Sequence, residues 1–272
     1  MNDIHVVILA AGQGTRMKSQ LPKVLHPVGG VAMIERVLDV AASLSPATIS
    51  LIVGHKSDLV RDALQHRSGL GFAIQEPQLG TGHAVMQALP ELEDGGLTLV
   101  LYADVPLIKV ETLERLIAAS TIGIGVLTVT LPDPTGYGRI VRRAGRIEEI
   151  VEQRDASGDQ LAIREINTGV MIAPTGLLGA WLSNLSNENA QGEYYLTDIV
   201  SMAAKGGIPI GSASAGSPWE VSGVNTKAQL AELEKMRRNR EAQTLLDHGV
   251  TLLDPRRIDL RGRLDCGKDC EI

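Results

Sequence analysis

Residues 5–23 read HVVILAAGQGTRMKSQLPK, and the fold turns on how this stretch is read. The run HVVIL (5–9) has the unbroken apolar character of a strand buried on both faces. Two glycines follow at once, Gly12 and Gly14. A strand running into a Gly-rich turn is the usual start of a nucleotide site in an α/β fold. Yet the dinucleotide pattern G-x-G-x-x-G needs a third glycine where the chain has Met17, and the G-x-x-x-x-G-K-[ST] phosphate loop is absent. Alone, Gly-x-Gly is compatible with a plain tight turn. Arg16 and Lys23 move the reading toward polyphosphate, because a guanidinium forks onto phosphate oxygens and an ammonium supplies a point charge. Ala10 and Ala11 leave room for a flat base or ribose against the strand end, and Pro22 stiffens the approach to Lys23.

Outward from this turn, short apolar runs alternate with helical periodicity. Strands are expected at 48–54, 71–75 and 97–103, and helices at 32–44, from a Ser57 N-cap to Gln65, at 83–89 and at 110–120. Such alternation predicts a mostly parallel sheet covered on both faces, with ligands beyond the carboxyl ends of its strands. The turns after Leu9, Gln75 and Ala103 are therefore candidates for one shared site. The middle of the chain differs: 124–131, 137–143, 147–153 and 167–173 read as strands, with a turn at Ala144-Gly145, and suggest a mixed-sheet insertion. Helices near 176–184 and 193–205 and a strand at 208–214 complete this part.

A charged amphipathic helix is expected from Thr226 to about His248, ending at Gly249; the plain reading of its charges is a solvated face. Beyond it, Ile258, Leu264 and Cys270 stand six residues apart, the spacing of inward positions in a β-helix coil, and 251–272 reads as the start of a second domain.

Composition sets the limits. The chain has 272 residues, 44% of them hydrophobic and 21% charged, as in an ordinary globular protein. With 3% aromatics, the core must rest on Val, Ile, Leu and Ala. A net charge of −6 argues against a protein that coats nucleic acid. Neither a secretory leader nor a membrane-spanning run is expected, and the two cysteines, Cys266 and Cys270, read as reduced cytoplasmic thiols.

The ordered motifs carry a resemblance over almost the whole chain. Gly12-x-Gly14-Thr15-Arg16-Met17 with Leu21-Pro22-Lys23 looks like the signature of sugar-1-phosphate nucleotidyltransferases. The segments QEPQLGTGHA (75–84), YADVPL (102–107), DPTGYGRI (133–140), EINTG (165–169), QGEYYLTD (191–198) and GVN (223–225) narrow it. Together they resemble bacterial N-acetylglucosamine-1-phosphate uridyltransferases, the N-terminal half of a bifunctional enzyme whose second half is a left-handed β-helix acetyltransferase. The resemblance implies a Rossmann-like, mixed and mostly parallel nucleotidyltransferase domain over 1–225, a linker helix over 226–250 and the first coils of a left-handed β-helix over 251–272. It implies transfer of a uridylyl group from UTP to N-acetylglucosamine-1-phosphate for cell-envelope precursors, and a cytoplasmic enzyme without nucleic-acid or membrane partners. Full-length relatives are trimers through the β-helix, so this chain is expected to be monomeric or weakly associated and to lack the acetyltransferase activity.

Carried over motif by motif, Leu9, Ala10, Ala11 and Gly12, with Gln75, Gly80 and Thr81, would hold the uridine. Gly138, Glu152, Asn167 and Thr197 would hold the N-acetylglucosamine ring. Asp104 and Asn225 would bind Mg²⁺, Arg16 and Lys23 the phosphates, and Gly14, Thr15, Tyr102 and Ala103 complete the substrate set. These residue types suit the tasks: an amide such as Gln75 matches the donor and acceptors of uracil, and Mg²⁺ prefers oxygen ligands, few of them from protein. Taken singly, blander readings stand. Asp104 reads as a turn former, Asn225 as a helix cap, Glu152 as surface and His83 as structural. Where the family commonly has glycine before the metal aspartate, this chain has Ala103, which costs about 1 kcal/mol or more if φ must be positive there. The rival readings are a nucleotidyltransferase for another base or sugar, and a non-catalytic nucleotide-sugar sensor. A dehydrogenase lacks its third glycine.

Overall fold

Strand β1 (Ile4–Leu9) lies between two parallel neighbours, β4 (Thr48–Val53) and β6 (Leu97–Tyr102), with Leu9 opposite Ile52 on one side and Tyr102 on the other. The computed structural model describes residues 3–93, 95–120, 123–262 and 264–272. Between β1 and β4 come the two-residue strands β2 (Pro27–Val28) and β3 (Val31–Ala32), paired with each other, and α1 (Met33–Ser43). Next are α2 (Ser57–Ala63), β5 (Leu70–Ile74) and α3 (Thr81–Met86) before β6, then α4 (Val110–Ala118) and β7 (Ile124–Thr130). The hairpin β8 (Arg139–Arg143) and β9 (Arg146–Val151), the short α5 (Gly158–Leu161), β10 (Glu165–Pro174), α6 (Thr175–Ser183), α7 (Asp198–Lys205), β11 (Ile210–Ser214) and α8 (Lys227–Asp247) complete the order.

The main sheet runs β11-β7-β10-β6-β1-β4-β5, parallel except for β10. From β1 the chain winds outward through β4 to β5, then returns to place β6 on the other side of β1. That reversal opens a crevice between the carboxyl ends of β1 and β6, where doubly wound sheets bind ligands.

Burial explains why these segments are strands. Val6, Ile8, Leu51, Val53, Leu99 and Leu101 face one core, against Ile34, Val37, Leu38 and Ala41 of α1 and Leu113 and Leu116 of α4. Their alternates turn to the other face: Val7 and Ile52 meet Ala84 and Ala88, and Val100 joins Leu178 and Leu182 of α6 and Ile199 and Val200 of α7. With both faces covered, the strands read as continuous apolar runs rather than alternating ones. Ala144 and Gly145, with φ of 47° and 80°, make the tight β8–β9 turn.

Several boundaries differ from expectation by two residues or more, and three of them bear on the site. Ser57 does not cap α2; that place falls to Lys56 at φ 60°, without a side-chain cap. α3 begins two residues early, at Thr81. The helix expected from 193 starts only at Asp198, because 193–197 run as a loop tied to the segment before α3: Gly82 N–H donates to Tyr194 O and Tyr194 N–H to Leu79 O, both at 2.8 Å.

Helix α8 opens on a capping box between Thr226 and Gln229. It closes on a Schellman motif, Gly249 donating to Leu246 O and Val250 to Leu245 O, both at 3.0 Å. Its charges are not all solvated. Arg237 is 6% exposed; it pairs with Glu234 and Glu241 and donates to Leu260 O at 2.6 Å. Glu234 in turn accepts from Gly29 N–H at 2.6 Å, so one buried guanidinium joins α8, the β2–β3 turn and the C-terminal segment.

That segment keeps the expected inward register only in part. Ile258 packs inward with Leu252, Leu260 and Cys266 on Ala242, Leu245 and Val250, whereas Leu264 is 40% exposed and Cys270 is exposed. The pair 252/258 keeps the expected six-residue phase, and the pair 260/266 takes another. A parallel bridge joins Thr251 to Glu271, with Thr251 N–H donating to Cys270 O at 2.8 Å. Among the described residues no helix is long and apolar enough to cross a membrane.

Arg237→Ala should lower the unfolding free energy by about 2 kcal/mol in urea titrations. This is below the range for a wholly buried pair, because Glu234 and Glu241 keep about a third of their exposure.

Candidate active site at the sheet switch point

The Gly-rich turn folds back on itself. Gly14 adopts φ 63°, and a Cβ there would lie 2.7 Å from Lys23 Cβ, so a larger residue would push the lysine away. Lys23 sits in a single helical turn held by Leu25 N–H to Pro22 O at 3.0 Å and His26 N–H to Lys23 O at 3.2 Å. Its Nζ therefore lies over the crevice, where it contacts Asp104 Oδ2 and, at 3.1 Å, Asn225 Oδ1. Arg16 Nη2 donates to the same Asn225 oxygen at 3.0 Å. Asn225 is positioned by its neighbour: Val224 N–H donates to Asp104 O at 3.0 Å, lacing the loop before α8 onto the end of β6. The cap of α8 is Thr226, so the Asn225 amide is left to the cations.

Leu9, Ala10, Ala11, Gly12, Lys23, Gln75, Gly80, Thr81, Tyr102 and Asp104 line one cavity of about 280 Å³. Gly12 has nothing within 4 Å of where a Cβ would be, so the turn is open to a ligand there. Gln75 is buried, its Nε2 held by Gly80 O at 2.9 Å and by His83 Nδ1 at 3.2 Å, which gives His83 a structural job. Gly80, at φ 106°, passes so close to the 193–194 backbone that a Cβ would sit 2.7 Å from Tyr194 O. Gly14, Thr15 and Lys23 line an adjoining cavity of about 160 Å³ with Ser19, His55 and Lys56.

The remaining expected residues gather on the other flank. Gly138 and Glu152 stand at the open end of the β8–β9 hairpin, where Arg139 pairs with Val151. Glu152 Oε1 accepts from Thr197 Oγ1 at 3.1 Å. Asn167 N–H donates to Gly138 O at 2.9 Å, and Asn167 Oδ1 accepts from Gly169 N–H at 3.0 Å, where β10 loses register with β7. Tyr102 joins the two flanks: burial raises its phenol pKa, and the charges of Glu152 and Asp104 raise it further. Ala103 lines neither cavity. It is fully buried, its N–H donates to Leu9 O at 3.1 Å, and its φ is not positive, so its methyl carries no backbone strain.

Some cavity residues escaped the sequence reading. Gln78 donates to Ala11 O at 2.7 Å, and Glu193 forms the wall beside Gly80. Both lie inside ordered motifs, Gln78 in QEPQLGTGHA (75–84) and Glu193 in QGEYYLTD (191–198). His55 and Lys56 follow β4, a strand end that the carboxyl-edge rule would have nominated with the other three.

A doubly wound sheet with cations and a carboxylate converging over its switch point is the architecture of a nucleotidyltransferase. Residues 6–251 match the MobA-like NTP transferase domain, and the chain belongs to that family. It is 56% identical over 99% of its length to the "Bifunctional protein GlmU" of Herminiimonas arsenicoxydans and 57% identical over 99% to that of Ralstonia nicotianae. The chain spans about 60% of the length of the first of these and 59% of the second. Among solved structures, a UDP-glucose pyrophosphorylase complexed with UDP-glucose superposes with a TM-score of 0.71 at 16% identity, covering 88% of this chain and 99% of that one. A nucleotidyl transferase from Methanothermobacter thermautotroptrophicus gives 0.59 at 19% identity, with 86% and 97% covered. At these identities the two structures speak for the fold alone.

Burial raises the pKa of Glu152, and the charges of Asp198, Asp155 and Glu193 raise it further, against the hydrogen bond from Thr197. Between its unfolded and folded pKa the native state binds more protons than the unfolded chain, so stability falls as pH rises through that window. The cost persists at neutral pH. Glu152→Gln keeps an acceptor for Thr197 and should raise Tm at pH 7 while leaving it unchanged below pH ~4; a thermal scan across pH reads both.

Proposed function

We propose that this chain transfers a uridylyl group from UTP to N-acetylglucosamine-1-phosphate, releasing pyrophosphate and UDP-N-acetylglucosamine. The observation that carries this reading is the cavity over β1 and β6 with Lys23, Asp104, Asn225 and Arg16 clustered at it, and Tyr102 of its wall feeling the charges of both Asp104 and Glu152, the latter paired with Thr197. The cluster suits polyphosphate and the Glu152–Thr197 pair suits sugar hydroxyls. The likeness to bifunctional GlmU proteins supports the same substrates.

In the reaction a phosphate oxygen of the sugar phosphate attacks the α-phosphorus of UTP, the bond to the β-phosphate oxygen breaks, and pyrophosphate leaves in line. The nucleophile is already an anion, so the residues position groups and neutralise charge instead of moving protons. The uridine rests on Leu9–Gly12, Gln75, Gly80 and Thr81, and Gly14, Thr15 and Tyr102 complete the pocket. Gly138, Glu152, Asn167 and Thr197 hold the acetamido sugar, with Glu152 accepting from a hydroxyl. Arg16 and Lys23 attract the departing phosphates. The oxygens of Asp104 and Asn225 converge on one cationic atom, a donor set that fits Mg²⁺ completed by phosphate and water. Mg²⁺ held there would offset charge between the two reacting phosphates.

We further read 1–225 as the transferase domain, 226–250 as a linker helix and 251–272 as the opening of a β-helix, in a cytoplasmic protein. A panel of nucleoside triphosphates and sugar phosphates assayed for pyrophosphate release should single out UTP with N-acetylglucosamine-1-phosphate and Mg²⁺. Preference for another pair would replace this reading, and binding without turnover would favour a sensor. Arg16→Ala should lower kcat by roughly 10²-fold or more with circular dichroism unchanged. Asp104→Ala should abolish Mg²⁺-dependent turnover, and a metal titration of activity identical to wild type would remove Asp104 from that role.

A further inference from the structure

The two oxygens that suit a divalent ion are held here by a cation of the chain itself. Lys23 Nζ lies against both Asp104 Oδ2 and Asn225 Oδ1, with the lysine and aspartate side chains only 12% and 15% exposed. An ammonium and a hard divalent ion seek the same oxygen ligands, and at a few ångströms they repel each other. Both cannot rest on this pair. The lysine has another place to go, because it lines the cavity of Gly14, Thr15, His55 and Lys56 as well as that of Asp104 and Tyr102. Its backbone is fixed by the turn at 22–26 and by the close approach of Gly14, so only the flexible stem need swing.

We propose that Lys23 is an internal stand-in for the divalent ion: it neutralises Asp104 until the metal binds, and is then displaced toward the phosphates. The idea rests on the metal role given above to Asp104 and Asn225. It makes Lys23 a metal-exchanged residue rather than a fixed phosphate clamp. By linkage, an anion that draws Lys23 away strengthens metal binding, and metal binding frees Lys23 for the anion by the same factor.

The test is a Mn²⁺ titration followed by electron paramagnetic resonance, on the whole chain without nucleotide. Lys23→Met should bind Mn²⁺ about tenfold more tightly than wild type, or better, having lost the competing charge. Lys23→Arg, which keeps that charge, should stay near wild type, and adding Asp104→Asn to Lys23→Met should remove the gain. Should Lys23→Met lose its folded circular dichroism, Lys23→Gln takes its place in the same titration. Equal affinities for wild type and the uncharged variant overturn the proposal, as does a gain that survives Asp104→Asn. No nucleotide enters this measurement, so a wrong choice of substrate would surface in the pyrophosphate assay and leave the Mn²⁺ result standing.

Discussion

The pairing of β1 with parallel neighbours on both sides is the constraint from which the site follows. Because the chain winds outward through β4 and β5 and returns to place β6 on the other side of β1, a crevice opens at the carboxyl ends of β1 and β6. The turn after Leu9 and the turn after Tyr102 must then face each other across that gap, with Lys23 and Asp104 brought together from 81 positions apart. Asn225 arrives from the loop before α8, tied by one backbone hydrogen bond to Asp104. Lys23 and Asp104 compensate one another at low exposure, with the exposed Arg16 beside them on the same asparagine oxygen.

The second flank is held by different means. Glu152 is kept partly desolvated among other acids and is satisfied by Thr197, so the fold accepts a local cost to keep an acceptor available. The loop 193–197 is laced to the residues before and within α3 by backbone bonds and by Leu196 N–H to Thr81 Oγ1 at 3.1 Å. Thr81, in the cavity wall, thus also braces the loop that carries Thr197, and displacement of either segment would be felt by the other.

Much of this was legible in the chain. The burial of β1, β4 and β6 on both faces left continuous apolar runs, and Gly-x-Gly with Arg16 and Lys23 marked the turn that borders the cavity. What could not be read were facts of tertiary contact. Gln78 and Glu193 differ from surface residues only in which backbone passes beside them. Arg237 looks like any charged helix residue until Gly29 and Leu260 close over it. The register of 251–272 held only in part because six-residue spacing has more than one phase: Leu252 and Ile258 keep the expected one, and packing on Leu245 and Val250 then selects Leu260 and Cys266 over Leu264 and Cys270. The 193–197 loop shows helical composition but is claimed by bonds to Leu79 and Gly82.

The β8–β9 hairpin pairs with the main sheet at Ile166 and Arg139, is tied to it by Arg142 on Glu165 at 2.8 Å and by the burial of Ile140, Ile147 and Ile150, and presents both Gly138 and Glu152 at its open end. Acceptor recognition, on the proposed reading, is thus shared among this hairpin, β10 with Asn167 and the 193–197 loop with Thr197, while the phosphate chemistry belongs to the turns over the wound sheet. Redirecting the same scaffold to a different sugar would then take matched changes in all three segments, none of them in the machinery that breaks the triphosphate.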